Sequence, residues 1–119
     1  MIIAGSRALS GGYALELVKS AVRDSGFAIT EVVSGGAYGV DSAGERWAKD
    51  NGKPCQVFYA QWNKHRKAAG VMRNTVMSEY ADALIAIRGN NSRGTTDMIN
   101  KMKRLGKPVF VVDVQGECQ

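Results

Sequence analysis

The residues best suited to bind an anion lie in a glycine-rich stretch, residues 34–44, with the sequence S-G-G-A-Y-G-V-D-S-A-G. An apolar run ending at Val33 leads into it, and a helical pattern beginning at Val40 follows. Glycines allow a ligand to approach the main chain closely. The first amides of a helix lack intrahelical partners and carry partial positive charge. The stretch therefore predicts a phosphate-binding loop, with a tight strand–helix turn without a ligand as the alternative.

Two further loops have a similar composition, and a parallel sheet would bring all three to one edge. The segment 5–7 follows the first predicted strand, and the segment 88–96 follows the fourth. Ligands of open parallel sheets bind beyond the carboxyl ends of the strands. The predicted ligand-binding residues are Gly5, Ser6, Arg7, Ser34, Gly35, Gly36, Ala37, Gly39, Val40, Asp41, Arg73, Asn74, Ser92, Arg93, Gly94, Thr95, Thr96 and Asp97.

Among these side chains, Arg73 is the first candidate for a functional role, because a guanidinium offers paired donors that match phosphate geometry. Arg7 directly follows a strand and would reach the same anion. Asp41 would accept a ribose hydroxyl or cap a helix. Trp62 would stack on a base or anchor a loop. The methionines of the later helices, Met72, Met77, Met98 and Met102, are expected in the core.

Strands alternate with helices along the whole chain. The predicted strands are residues 1–4, 27–33, 55–59, 83–87 and 109–114, with Cys55 expected to be buried, and helical patterns fill the intervals. Such alternation predicts a parallel sheet covered by helices on both faces. The sequence therefore predicts one α/β three-layer domain, residues 1–119, with a mostly parallel sheet of about five strands.

The composition restricts the partners. The 119 residues carry a net charge of +5, which favours anionic partners. Basic residues cluster at 64–73 and at 101–107, and the second cluster is placed to complement a helix C-terminus. Two cysteines and one histidine argue against a zinc site, so neither metal nor cofactor is expected. No run approaches the ~20 apolar residues of a membrane span.

The motifs resemble those of the SLOG superfamily, most closely its small YspA-like (DUF2493) group, found in bacteria and their phages. The matching stretches are A-G-S-R from Ala4, the glycine-rich loop with its helix, W-N-K-H-R-K-A-A-G-V-M-R-N-T-V-M from Trp62, A-D-A-L-I-A-I from Ala81 and S-R-G-T-T-D-M-I from Ser92. The resemblance implies a Rossmann-like nucleotide-binding domain. The superfamily includes LOG phosphoribohydrolases, which cut the base from nucleoside monophosphates, the DNA-processing protein DprA, and sensor domains proposed to bind NAD- or ADP-ribose-derived signals.

The match to the LOG enzymes is uneven. Those enzymes have R-K-x-x-M before the fourth strand, and here Arg73 is kept but Asn74 replaces the lysine. They have P-G-G-x-G-T-x-x-E after that strand, and here Met98 replaces the glutamate while Asp97 lies one residue earlier. One residue turns a helical side chain by about 100°, which argues against LOG-type hydrolysis. If the protein is an enzyme, Arg73 and Asp97 are its catalytic candidates.

The sequence predicts a module that binds a nucleotide-derived small molecule, a nucleoside phosphate or an ADP-ribose- or NAD-like ligand, for sensing or sequestration. The alternatives are a LOG-like phosphoribohydrolase and single-stranded nucleic-acid binding. Against the latter, aromatic residues are only 8% and do not interleave with basic ones.

We also expect a homodimer or larger assembly. The LOG-like relatives pair through helices beside the site, and an apolar stripe runs along the corresponding helix at Met72, Val76, Met77 and Tyr80. A core-facing stripe is the alternative. Without a signal-peptide pattern, a cytoplasmic location is expected, in the host cytoplasm if the protein is viral, with no membrane partner.

Overall fold

The computed structural model describes residues 1–61, 63, 68–89 and 92–114. Their strands are β1 (Ile2–Gly5), β2 (Val32–Ser34), β3 (Cys55–Val57), β4 (Leu84–Arg88) and β5 (Val109–Asp113). Their long helices are α1 (Gly11–Ser25), α2 (Val40–Asp50), α3 (Ala69–Tyr80) and α4 (Arg93–Arg104). The predicted α/β class with a five-stranded parallel sheet is confirmed.

The sheet has the strand order β3-β2-β1-β4-β5, and every neighbouring pair is parallel. The chain first builds outward from β1 to β3 and then crosses back to place β4 on the other side of β1. This reversal lies between β1 and β4, whose register pairs Ile2 with Leu84 and Gly5 with Ile87. A crevice at the carboxyl ends of the strands is the expected result of such a reversal.

Two hydrophobic clusters cover the two faces of the sheet. Neighbouring residues of β1 contribute to opposite clusters, because successive side chains of a strand point to opposite faces. Ile3 packs with the apolar residues of α1 and α2, whereas Ile2 packs with those of α3 and α4. The central strands are therefore almost wholly apolar, as strands buried on both faces must be.

Several local expectations were wrong, and the edge position of β3 explains two of them. β2 covers only Val32–Ser34, rather than 27–33, because pairing with β3 begins at Val32. Cys55 is exposed rather than buried, since β3 pairs on one side only. Met72 is 44% exposed, because it lies on the outer face of α3. Met77, Met98 and Met102 are buried as expected.

The expectations for the helix ends had mixed outcomes. The N-cap position of α2 belongs to Gly39, so the expectation that Asp41 caps this helix was wrong. Gly26 ends α1 in the left-handed conformation, with a φ of 70°, as expected. Trp62 and most of the first basic cluster lie outside the described residues. Within the described ranges, no helix has the length and hydropathy that crossing a bilayer requires.

Candidate functional site

A cavity of about 390 Å³ opens at the carboxyl ends of β1, β2 and β4, at the reversal of strand order. Its walls come from the three predicted loops and from α3 and α4. They are formed by Ala4, Gly5, Ser6, Arg7, Ala8, Gly35, Ala37, Asp41, Arg73, Asn74, Met77, Ser92, Arg93, Gly94, Thr95 and Met98. The volume is within the usual range of ligand pockets, about 300–1,000 Å³.

Arg73 reaches the cavity from α3 and is held at two points. Its Nε donates to Oδ1 of Asn74 at 2.9 Å, and its Nη1 donates to the carbonyl oxygen of Gly35 at 2.5 Å. Burial lowers the pKa of Arg73 and neighbouring Arg7 lowers it further, while Asp41 raises it. The guanidinium nevertheless stays charged, because arginine does not deprotonate in proteins. Arg73 is thus an oriented cation whose Nη2 has no hydrogen-bond partner among the described residues.

Asp41 is the acidic residue of the cavity wall. It is 5% exposed and accepts a hydrogen bond from the Ala37 amide at 3.3 Å. Burial raises the pKa of this carboxyl, and the Ala37 amide and the charge of Arg73 only partly oppose that effect. The arrangement gives the cavity one buried carboxyl that can exchange hydrogen bonds with a hydroxyl group.

Three amides of the glycine-rich loop, those of Gly36, Ala37 and Val40, donate inside the protein. The Gly36 amide donates to Ser34 Oγ at 3.1 Å, and the Val40 amide donates to the Ser6 carbonyl at 3.2 Å. A Cβ on Gly39 would lie 2.4 Å from that same carbonyl oxygen, so glycine is required for the close approach of the two loops. The loop thus joins β1 to α2 through the contact of Val40 with Ser6.

The amino end of α4 also offers free amides to an anion. Thr96 is the first residue of this helix whose amide bonds to Ser92, and the amides of Arg93, Gly94 and Thr95 have no partner within the described segments. Thr95 is only 7% exposed and lies on the cavity wall. Free amides and a helix dipole at one point favour negative charge.

Asp97 is engaged in a different contact. One carboxylate oxygen accepts a hydrogen bond from Asn74 Nδ2 at 3.0 Å, and the other pairs with Lys101 Nζ at 2.5 Å. Asn74 Nδ2 also donates to the Gly94 carbonyl at 3.1 Å. Asn74 therefore ties Arg73 and α3 to the first turn of α4, and Asp97 belongs to this tie rather than to the cavity wall.

The charge balance of the cavity wall is positive. Three arginines, Arg7, Arg73 and Arg93, contribute to it, against the single buried carboxyl of Asp41. Among the described residues, no group of His, Cys, Asp and Glu side chains could hold a metal ion. The chemistry of the wall suits an organic anion that also carries hydroxyl groups.

The structure brings together twelve of the residues predicted for ligand binding: Gly5, Ser6, Arg7, Gly35, Ala37, Asp41, Arg73, Asn74, Ser92, Arg93, Gly94 and Thr95. Six others do not contribute to the wall: Ser34, Gly36, Gly39, Val40, Thr96 and Asp97. The sequence reasoning missed Ala4, Ala8, Met77 and Met98, which complete the cavity. Ala4 was predicted in a strand and Met77 and Met98 in the core, whereas Ala8 lies in the turn after β1, and no signal marked any of the four as cavity residues.

Comparison with known proteins adds one relative. No protein-family model and no solved structure matches the chain, so the SLOG resemblance stays a prediction. The chain is similar to the Gene 61 protein of Mycobacterium phage D29, with 36% identity over 86 residues, which cover 66% of this chain and 68% of the phage protein. Identity of this level and extent places the two chains in one family. The chain therefore belongs to the same family as the Gene 61 protein of Mycobacterium phage D29.

Proposed function

We propose that the protein binds a nucleotide-derived small molecule, with the phosphate of that molecule in the cavity at the carboxyl edge of the sheet. The observation that carries the proposal is the convergence of Arg7, Arg73 and Arg93 on a cavity that also contains the amino end of α4. Guanidinium groups and helix amides are the usual ligands of phosphate.

Each polar group of the cavity has a distinct role in this proposal. Arg73 offers Nη2 to a phosphate oxygen, and its other nitrogens keep the group oriented. The backbone amides of Gly94 and Thr95 donate to a second phosphate oxygen. Asp41 accepts a sugar hydroxyl, because a buried carboxyl on the cavity wall has acceptor sites beyond those that backbone amides use. The combination favours a sugar phosphate over inorganic phosphate, and the biological role would be sensing or sequestration.

The contacts of Asp97 favour binding over hydrolysis of the ligand. A carboxylate that assists departure of a base must reach the sugar or the base. Both oxygens of Asp97 are occupied by Asn74 and Lys101, outside the cavity wall. The enzyme alternative requires this pair of contacts to break before Asp97 could act.

Two lysines of the second basic cluster are engaged within the protein, which leaves fewer of its charges for a nucleic acid. Lys107 Nζ donates to the carbonyls of Ser78, Glu79 and Ala81, at the C-terminal end of α3. Lys101 pairs with Asp97. These two charges therefore satisfy groups of the protein and are not free to contact a phosphate backbone.

The expected homodimer stays a prediction. Met77 of the apolar stripe is buried, whereas Met72, Val76 and Tyr80 are each 44–49% exposed. One of the four stripe residues thus belongs to the core, and the other three are open to a ligand or a partner. Sedimentation velocity at tens of micromolar distinguishes a monomer from a dimer.

The experiment that tests the proposal is identification of the bound compound. Protein purified under native conditions is heat-denatured, and the released small molecules are identified by mass spectrometry. A nucleotide or nucleotide-like phosphate at near-equimolar amount supports the proposal. Incubation with nucleoside monophosphates, NAD and ADP-ribose, followed by chromatography of free base, tests the enzyme alternative. Multiple-turnover release of base that is lost in Asp97→Asn would overturn simple binding.

A further inference from the structure

A second concave surface lies beside the cavity, between the end of β3 and the outer face of α3. This groove has a volume of about 620 Å³. Its wall is mostly apolar and aromatic, apart from one amide and one guanidinium, and is formed by Val57, Phe58, Tyr59, Gln61, Ala69, Met72, Arg73 and Val76. Tyr59 is 73% exposed, and Met72 and Val76 are nearly half exposed. Contiguous apolar exposure of this kind marks a binding surface.

The aromatic part of the groove has a fixed framework. The rings of Phe58 and Tyr80 pack with their centroids 5.3 Å apart and a tilt of 57°. The Tyr80 hydroxyl in turn donates to Glu31, at 2.8 Å and 3.0 Å from its two carboxylate oxygens. The Tyr59 ring lies against the glycine-rich loop, so close that a Cβ on Gly36 would be 2.7 Å from it. Tyr59 therefore borders the groove on the side that leads to the cavity.

Arg73 connects the groove with the cavity, because it contributes to the wall of both. A phosphate bound to its guanidinium would have the cavity on one side and the groove on the other. The two sides differ in chemistry, since the cavity is basic and rich in hydrogen-bonding groups whereas the groove is apolar and aromatic. A ligand that bridges them needs a polar, hydroxyl-bearing part and a flat, weakly polar part joined near an anion.

We infer that the groove binds the base of the nucleotide whose phosphate lies on Arg73. The inference rests on the proposed function and adds the position and class of the second half of the ligand. A planar heteroaromatic ring stacks on Tyr59, and the Gln61 amide, with two donors and one acceptor group, pairs with the polar edge of the ring. A second copy of the chain is the competing occupant of this apolar surface.

The test compares AMP with ribose 5-phosphate, which lacks the base, in wild-type protein and in Tyr59→Ala. The control is Tyr13→Ala, because Tyr13 is also exposed, at 55%, but lies on α1 outside both concave surfaces. NMR titrations to millimolar ligand measure both affinities. We expect Tyr59→Ala to weaken AMP binding about 5- to 150-fold, the range for loss of a base–aromatic stack. Its binding of ribose 5-phosphate, and both affinities of Tyr13→Ala, should stay within twofold of wild type.

Other outcomes separate the inference from the proposed function. Equal AMP affinity in wild type and Tyr59→Ala overturns the inference alone, provided that both compounds bind. Failure of both compounds to bind wild-type protein overturns the proposed function and the inference with it. A second variant, Met72→Glu, tests by sedimentation velocity whether the groove is a dimer interface. If it converts a dimer to a monomer without changing AMP affinity, the groove belongs to a second copy of the chain and the inference is wrong.

Discussion

Replacement of Gly35 by alanine tests the geometry of the cavity with the smallest possible change. Gly35 is buried at the end of β2 and does not have a positive φ, so its backbone accepts an alanine. Its missing side chain matters instead. A Cβ built there lies 2.6 Å from Arg73 Nη1 and 2.8 Å from Asp41 Oδ2.

The magnitude of the effect follows from these distances. Ordinary van der Waals contact requires about 3.5 Å, so the guanidinium and the carboxylate must each move by roughly 0.7–0.9 Å. A shift of that size stretches the 2.5 Å hydrogen bond from Arg73 to the Gly35 carbonyl beyond the usual length and so weakens it. Overpacking at a buried position costs about 1–3 kcal/mol of unfolding free energy. Misplacing one charge-assisted ligand contact costs about 1.5–3 kcal/mol of binding free energy, or roughly 10- to 150-fold in affinity.

Urea denaturation and calorimetric titration with AMP measure the two effects. Gly12→Ala is the matched control, because Gly12 lies in α1, has no positive φ and has no atom within 4 Å of a built Cβ. We expect that control to leave affinity unchanged and to raise stability by about 0.5–1 kcal/mol. Unchanged AMP affinity in Gly35→Ala, with a folded protein, would refute the claim that Arg73 and Asp41 are held in position for a ligand.

Three further variants test other contacts. Asp41→Asn should have a higher unfolding free energy than wild type at pH 7, because burial raises the pKa of Asp41 above its ordinary value of 3.8 and ionisation destabilises the folded state. The gain should vanish as the pH falls towards 3.8. Equal unfolding free energies of both proteins across pH 4–8 would contradict this. Lys107→Ala should lower the unfolding free energy by about 1–3 kcal/mol, because three carbonyls at the end of α3 lose their donor. Lys103 is exposed and serves as the control, so Lys103→Ala should keep its unfolding free energy within about 0.5 kcal/mol of wild type. Equal losses of unfolding free energy in the two variants would contradict a capping role of Lys107. Asn74→Ala should weaken AMP binding, because Asn74 orients the guanidinium of Arg73. In a double-mutant cycle, the losses of binding free energy in Asn74→Ala and Arg73→Ala should therefore be less than additive. Full additivity would contradict this orienting role of Asn74.

Much of the fold could be predicted from sequence, because it depends on patterns that repeat. Apolar runs separated by helical periodicity predict a parallel sheet, and glycines mark the turns. The errors occur where a neighbour in space, rather than the local pattern, decides the outcome. The segment 27–31 has the composition of a strand but lacks a partner, because β3 begins pairing only at Val32.

The cavity wall could be predicted in part, for a similar reason. Residues at the ends of β1 and β2 and at the start of α4 were placed correctly, since the carboxyl ends of parallel strands share one edge. The role of the glycine-rich loop in phosphate binding stays a prediction. Three of its amides donate to Ser6, Ser34 and Asp41, and the contact with Ser6 joins two loops that lie far apart in the sequence, which no local pattern reveals.

Asp97 has two partners, and the sequence indicates only one of them. Its pairing with Lys101 follows from helical spacing, because residues four apart are neighbours on a helix. Its hydrogen bond with Asn74 joins two helices and depends on how they pack. Asn74 also accepts a hydrogen bond from Arg73, its neighbour on α3, and the sequence shows that the two residues are adjacent but not that their side chains are in contact.

The measurement that tests the central claim most directly is calorimetric titration of AMP into wild-type protein, Arg73→Ala and Arg46→Ala. Arg46 is the matched control, because it lies on the exposed face of α2, pairs with Asp50 and contributes to neither concave surface. The account predicts that Arg46→Ala binds AMP as wild type does, whereas Arg73→Ala loses about 1.5–3 kcal/mol of binding free energy while remaining folded. Equal AMP affinity in all three proteins would contradict the account.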